Sequence, residues 1–316
     1  MSTPPLLGPD ALAARTRAAT SAAVNTAREL GLDVREPRVL HDVFSVVVHL
    51  APAPVVARVP VVQPPGISPT AQEVRQRREL EVVAWLDARG VPVVPPSSQV
   101  PRAPVRRDGF SMTFWQLADV APDHSPYAPS DIALSAELHA ALAPYPGDLA
   151  FLAPFSGTVP ACLAYLDAHP GLLAPSDLER AHAEWKLLAP VLESREAFSA
   201  RFPTATIQPI QGDAPSHNVI RTVTGIRFSD FEDVTLGPVE WDLAMIGPEA
   251  TAAYDAAAKR LGRPTLHPEV QRVMDAARTL QFVACSALVP QLPLLADGLA
   301  PALEKWRTAP LAGGLL

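Results

Sequence analysis

Residues 211–244 concentrate acidic and amide oxygens between short apolar runs. The stretch begins Gln211-Gly212-Asp213, and Asn218 follows after four intervening residues. That spacing lets one loop turn back and place the Asp213 carboxylate and the Asn218 amide in a single cavity. Residues 219–222 and 225–228 read as two short strands joined by a Thr-Gly turn, and the hairpin they form returns Asp230 to the same cavity at a strand end. A hard cation such as Mg²⁺ takes a few carboxylate or amide oxygens and leaves its other positions to water and phosphate. Asp230 and Asn218 supply such oxygens. Asp213, outside that pair, is then free to accept a proton from a hydroxyl that attacks a phosphoryl group. Singly, each of these residues would read as a turn former. The ordered set reads as a catalytic loop followed by a metal-binding strand end.

At these residues the chain resembles the aminoglycoside phosphotransferase family, small-molecule kinases of protein-kinase-like build. Their pattern is His-Gly-Asp, four residues, Asn, then a strand-end Asp-Phe and later Trp-Asp-Leu-Ala. The matching positions are Gly212, Asp213, Asn218, Asp230, Phe231 and Trp241-Asp242-Leu243-Ala244. The resemblance implies Asp213 as catalytic base, Asn218 and Asp230 as magnesium ligands, and Asp242 as a buried acceptor that braces the loop. It also implies an α+β, two-lobed protein-kinase-like fold with ATP between the lobes. The N-terminal nucleotide-binding lobe, a small antiparallel sheet with a leading helix and one lobe helix, would cover residues 1–118. The larger, mainly helical lobe, residues 119–316, would be catalytic and substrate-binding. One position departs: Gln211 stands where the family has histidine, which places the support of the loop on an amide.

The elements that must position these groups follow from hydrophobic periodicity. Residues 10–30 carry apolar residues at helical spacing, with Asp10 as N-cap and Gly31 as the stop. Residues 39–60 are rich in β-branched residues and interrupted by Asp42, Pro52 and Pro54, which predicts two or three antiparallel strands. In the resembled family this hairpin covers the phosphates, yet residues 42–45 contain no glycine to let backbone amides approach them. Arg58 is the one charge in an apolar strand, where the family has a phosphate-contacting lysine; no lysine precedes Lys186. Residues 69–89 predict a helix on which Glu79 takes the place of the family's partner to that cation. Residues 111–117 read as the last strand of the first lobe and 118–129 as the hinge. The resemblance sets an adenine ring against the backbone of Gln116, Leu117 and Ala118. Beyond the hinge, helical patterns occupy residues 131–142, 159–168, 176–198, 249–261, 268–288 and 292–307.

Composition bounds the class. With 48% hydrophobic and 19% charged residues and no long polar tract, the chain is globular. Cys162 and Cys285 lack the spacing of a zinc site or redox pair, and Arg15 and Arg17 interrupt any apolar leader, so a cytoplasmic protein is expected. The longest uncharged late run is broken by prolines and glutamines, which excludes a membrane span there. No basic stripe with interleaved aromatics suggests nucleic acid. Residues 1–118 carry a net charge of +3 and residues 119–316 of −10. The asymmetry suits an anionic nucleotide on the first lobe and a cationic substrate on the second, and a solvated acidic surface accounts for it equally. The expected function is ATP- and Mg²⁺-dependent phosphoryl transfer to a hydroxyl of a small molecule, an aminoglycoside or another amino or sugar alcohol. The alternative is a degenerate, non-catalytic nucleotide-binding module, motivated by Gln211, Arg58 and the glycine-free hairpin together.

Overall fold

The structure, a computed structural model, describes residues 4–315. The first lobe is built on strands β1 (Val34–Asp42), β2 (Ser45–Pro52), β3 (Val55–Pro60), β4 (Val105–Arg107) and β5 (Phe110–Gln116), all antiparallel in the order β1-β2-β3-β5-β4. Helix α1 (Pro9–Glu29) lays a seam of Ala19, Ala22, Ala23 and Ala27 on one face of this sheet, against Val46, Val48, Leu50, Val55, Ala57 and Val59. Alanines let helix and sheet approach closely, and the period-2 alternation of β3 decides the rest. With Val55, Ala57 and Val59 turned toward α1, Arg58 must point to the opposite face. Helix α2 (Pro69–Asp87) lies beyond that face, capped by Ser68, whose hydroxyl accepts from the Ala71 amide at 3.1 Å.

The second lobe contains α3 (Ala133–Leu142), α4 (Ala153–Ala168), α5 (Pro175–Leu192), α6 (Arg195–Arg201), α7 (Gly247–Arg260), α8 (Pro268–Ala284) and α9 (Leu295–Thr308). Between α6 and α7 run the short strands β6 (Gln208–Ile210), β7 (Val219–Thr222), β8 (Gly225–Phe228) and β9 (Thr235–Gly237), paired β6 with β9 and β7 with β8. Helix α8 passes through the centre of the lobe, where Val270, Val273, Met274, Ala277, Leu280 and Val283 pack with Phe155, Leu163, Leu188 and Trp241. Two side chains, Gln291 and Arg15, tie the lobes. Gln291 accepts from the Gln63 amide at 3.1 Å and donates to the Gln63 carbonyl at 2.9 Å, while Arg15 donates to the Gln291 carbonyl at 2.7 Å. Among the described residues no helix is long and apolar enough to cross a membrane.

Several expected boundaries move, each for a local reason. Asp10 does not cap α1: Gly8 holds the cap position, Pro9 opens the helix, and Asp10 sits in the first turn, where its charge favours the helix dipole. The helix expected over 176–198 is two helices, because the Ser194 side chain accepts from the Ala197 amide and starts α6 afresh. The helix expected from 159 starts at Ala153 and tolerates Pro160. Strands β4, β6 and β9 are three residues each, too short for a period to show.

Trp241 joins this core to the loop above it, being fully buried and donating its indole N–H to the Gly212 carbonyl at 2.8 Å. Trp241→Ala is expected to cost about 3–5 kcal/mol in urea denaturation. Trp241→Phe, which keeps a ring and loses the hydrogen bond, is expected to cost less than half as much.

Candidate functional site

The loop after β6 is fixed from three sides. Gly212 has φ +90°, and a Cβ there would lie 1.9 Å from the Asp233 carbonyl oxygen, so only glycine fits. The Asp242 carboxylate accepts from the Gln211 amide at 2.9 Å and the Gly212 amide at 2.8 Å, and His139 Nε2 lies 3.0 Å from the same carboxylate. His139 is in turn within 2.9 Å of the Tyr254 hydroxyl. From below, Arg278 on α8 stacks over the Trp241 ring, 4.1 Å from its centroid, and donates to the Gly212 carbonyl at 3.1 Å.

Gln211, fully buried, answers the question raised by its departure from histidine. Its side-chain amide donates to the carbonyls of Ser229 and Asp230, each at 2.9 Å, and so ties the catalytic loop to the segment after β8. Asp230 adopts φ +58°, an unfavourable conformation that this tie helps to hold. The Gln211 side-chain oxygen, Oε1, is buried without a hydrogen-bond partner among the described residues.

The structure brings Asp213, Asn218 and Asp230 together. The Asn218 amide nitrogen donates to the Asp213 carbonyl at 3.1 Å and carboxylate at 3.3 Å. Arg278 Nη1 is 3.6 Å from the other Asp213 oxygen. Although 48% of its side chain is accessible, the cleft walls strip enough water from Asp213 to raise its pKa, against the pull of Arg278.

Arg58 sits where strand alternation places it. Its Nη1 is 2.9 Å from Glu79; its Nη2 is 2.8 Å from Asp230 and 3.0 Å from Glu232. Arg75, one turn before Glu79 on α2, reaches Glu232 at 3.3 Å and Asp233 at 2.6 Å. Burial pushes Glu79 up to about 8 and Asp230 up to about 6; Arg58 opposes both shifts, and neighbouring carboxylates add to them. Glu232 is held below its ordinary value because Arg58 and Arg75 together outweigh its burial. Four carboxylates face two arginines here, and Glu79 and Asp230 are the two that keep their protons to higher pH.

No group of three or more His, Cys, Asp or Glu side chains suited to a metal occurs among the described residues. Asp230 and the side-chain amide oxygen of Asn218 make a smaller, all-oxygen donor pair beside an excess of negative charge, a chemistry that fits Mg²⁺ completed by phosphate and water. At the hinge, the Gln116 and Leu117 amides already donate to the Pro95 and Pro54 carbonyls, and the Ala118 carbonyl accepts from Val120. Among the described residues the Leu117 carbonyl and the Ala118 amide have no backbone partner, which leaves them as the acceptor and donor of this segment.

Sequence reasoning missed Glu232, Arg75, Arg278 and His139. Arg75 carried one signal, its i,i+4 spacing from Glu79 on one helix face. The other three reach the site only through tertiary contacts.

No family model matches the sequence, and no curated protein matches it. Solved structures do. Choline kinase LicA from Streptococcus pneumoniae superposes with a TM-score of 0.56 at 11% identity, covering 89% of this chain and 98% of the other. A microcompartment-associated aminopropanol kinase gives 0.54 at 15% identity, covering 94% and 99%. A spectinomycin phosphotransferase, solved with ADP and spectinomycin, gives 0.55 at 8% identity, covering 93% and 96%. The chain has the fold of these small-molecule kinases, a five-stranded antiparallel lobe joined to a mainly helical one.

The raised Glu79 carboxyl sets a pH test on the nucleotide-free protein. A carboxyl whose folded pKa lies above its unfolded value binds its proton more tightly when folded, so stability is lost as pH rises from the unfolded value toward the folded one. Between about pH 5 and 8 the melting temperature of wild type is expected to fall relative to that of Glu79→Gln, with the difference levelling above about pH 8. Parallel pH curves for the two proteins would contradict this.

Proposed function

We propose that the protein is a small-molecule kinase that transfers the γ-phosphoryl group of ATP to a substrate hydroxyl, with Asp213 as the base. The observation that carries this reading is the joining of two acidic segments by buried side-chain bonds: Asp242 grips the amides before Asp213, and Gln211 grips the carbonyls at Asp230. Such bracing holds a base and a metal-type carboxylate at fixed separation, which phosphoryl transfer needs because positioning and charge stabilisation dominate its catalysis.

Asp213 accepts the hydroxyl proton as the substrate oxygen bonds to phosphorus and the bond from phosphorus to the ADP oxygen breaks. Its raised pKa makes it a better acceptor than an ordinary carboxylate. Arg278 keeps the carboxylate in place and limits that rise. Asp230 and Asn218 would hold Mg²⁺, which when bound neutralises phosphate charge. Arg58, fixed by Glu79, supplies a planar cation to the triphosphate, and the Leu117 carbonyl and Ala118 amide offer the acceptor and donor that an adenine edge needs. The substrate class best supported is a nitrogen-bearing alcohol. The second lobe is acidic, and the neighbours named for choline, aminopropanol and spectinomycin fit that chemistry.

A second reading, a nucleotide-binding module without catalysis, is favoured by one contact. Arg58 already occupies an oxygen of Asp230, the carboxylate a metal would need. Labelled ATP with Mg²⁺ against a panel of amino alcohols, amino sugars and polyols separates the two. The kinase reading expects transfer to at least one member, a loss on the order of 10²–10⁴ in rate for Asp213→Asn, and nucleotide affinity in that variant close to wild type. Tight nucleotide binding with no transfer to any member would favour the module.

A further inference from the structure

The hinge segment sends one side chain back over the cleft. Tyr127 adopts φ +59°, a conformation that bulky residues rarely take, and the residue is 57% exposed. Its hydroxyl nevertheless lies 2.6 Å from Nε2 of His41, at the tip of the β1–β2 hairpin in the other lobe, and the two rings meet edge to face at 5.5 Å. A strained backbone that persists beside a cross-lobe hydrogen bond suggests a functional contact. The pair stands next to the site: the phenol is pushed up by burial and by the charges of Asp230 and Asp213, with Arg58 opposing.

Sheet register sets where His41 points. His41 is paired with Val47, and Val47 with Arg58. Directly paired residues present their side chains on the same face, so His41 and Arg58 face the same side, two strands apart at about 10 Å. That is the side on which Arg58 meets Asp230. The hairpin tip between Asp42 and Ser45 contains no glycine, so a side chain must do there what close backbone amides cannot.

We propose that His41 is a triphosphate-binding residue and that Tyr127 is its competitor: the His41–Tyr127 hydrogen bond joins the lobes in the free protein, and the nucleotide's phosphates break it and take the imidazole. This rests on the nucleotide reading above and adds to it a side chain that substitutes for a glycine-rich hairpin. The neutral imidazole suits the closed state, since burial holds His41 below its ordinary pKa, with Asp42 opposing and Arg58 adding to the shift.

Calorimetry with Mg²⁺ and a non-hydrolysable ATP analogue, with adenosine as the phosphate-free control, tests the inference. Tyr127→Phe removes the competing hydrogen bond and is expected to tighten analogue binding about two- to tenfold. His41→Ala loses a bond to a charged group and is expected to weaken it about tenfold or more. The double variant should match His41→Ala alone, because Tyr127 then has nothing left to compete for. Adenosine affinity should be the same in all four proteins. Analogue binding that neither variant alters, or a His41→Ala loss shared equally by adenosine, would overturn the inference and leave the nucleotide reading standing. Absence of analogue binding in wild type and variants alike would overturn both.

Discussion

The guanidinium of Arg58 is the counter-ion shared by carboxylates of both lobes. It bonds Glu79 within its own lobe and Asp230 and Glu232 from the other, and the Arg58 side chain is only 14% exposed. A charge so buried must stay paired, and removing one partner from such a set costs several kcal/mol, because the remaining charges are left uncompensated. The planar fork matters as much as the charge. One nitrogen serves Glu79 while the other serves two acids at once, which an ammonium on a flexible stem does less well. The alternation of β3 aims that fork, and the alanine seam of α1 fixes which way the strand faces.

The second lobe answers with a different construction. Its acidic residues are held mainly through backbone. Asp242 takes two consecutive amides, Gln211 takes two consecutive carbonyls, and Gly212 allows the Asp233 carbonyl to pass where any side chain would collide. Bonds to backbone fix the loop while the Asp213 carboxylate stays 48% accessible beside Asn218 and Arg278; the Asp230 carboxylate is shared with Arg58. The unsatisfied Gln211 oxygen is the cost of meeting both carbonyls with an amide in place of a ring.

Much of this site was legible in the sequence. The spacing of Asp213, Asn218 and Asp230 placed them together, the resemblance added Asp242, and Arg58 stood out as the one charge in an apolar strand. The Arg58–Glu79 pair was reachable by resemblance. Glu232 and Arg278 were not, because an acidic residue in a loop and an arginine on a helix are ordinary surface types, and their partners lie far away in sequence. Arg58 and Asp230 are themselves 172 residues apart. The moved helix boundaries were partly legible. Gly8-Pro9 is a stronger start than Asp10, and Ser194 followed by a charged turn is a cap signal that the long apolar pattern around it masked. The three-residue strands carry no pattern at all, since pairing alone defines them.

The role of Arg58 as the ionic link between lobes is open to one direct measurement on the ligand-free protein. Urea denaturation of wild type, Arg58→Met, Glu232→Gln and the double variant gives the coupling of a pair 3.0 Å apart whose side chains are 14% and 24% exposed. A link of this kind predicts a coupling on the order of 1–3 kcal/mol, with each single variant losing more than its share of the double. Losses that add to within about 0.5 kcal/mol would contradict it, and would show that the Arg58–Glu232 pair does not hold the two lobes together.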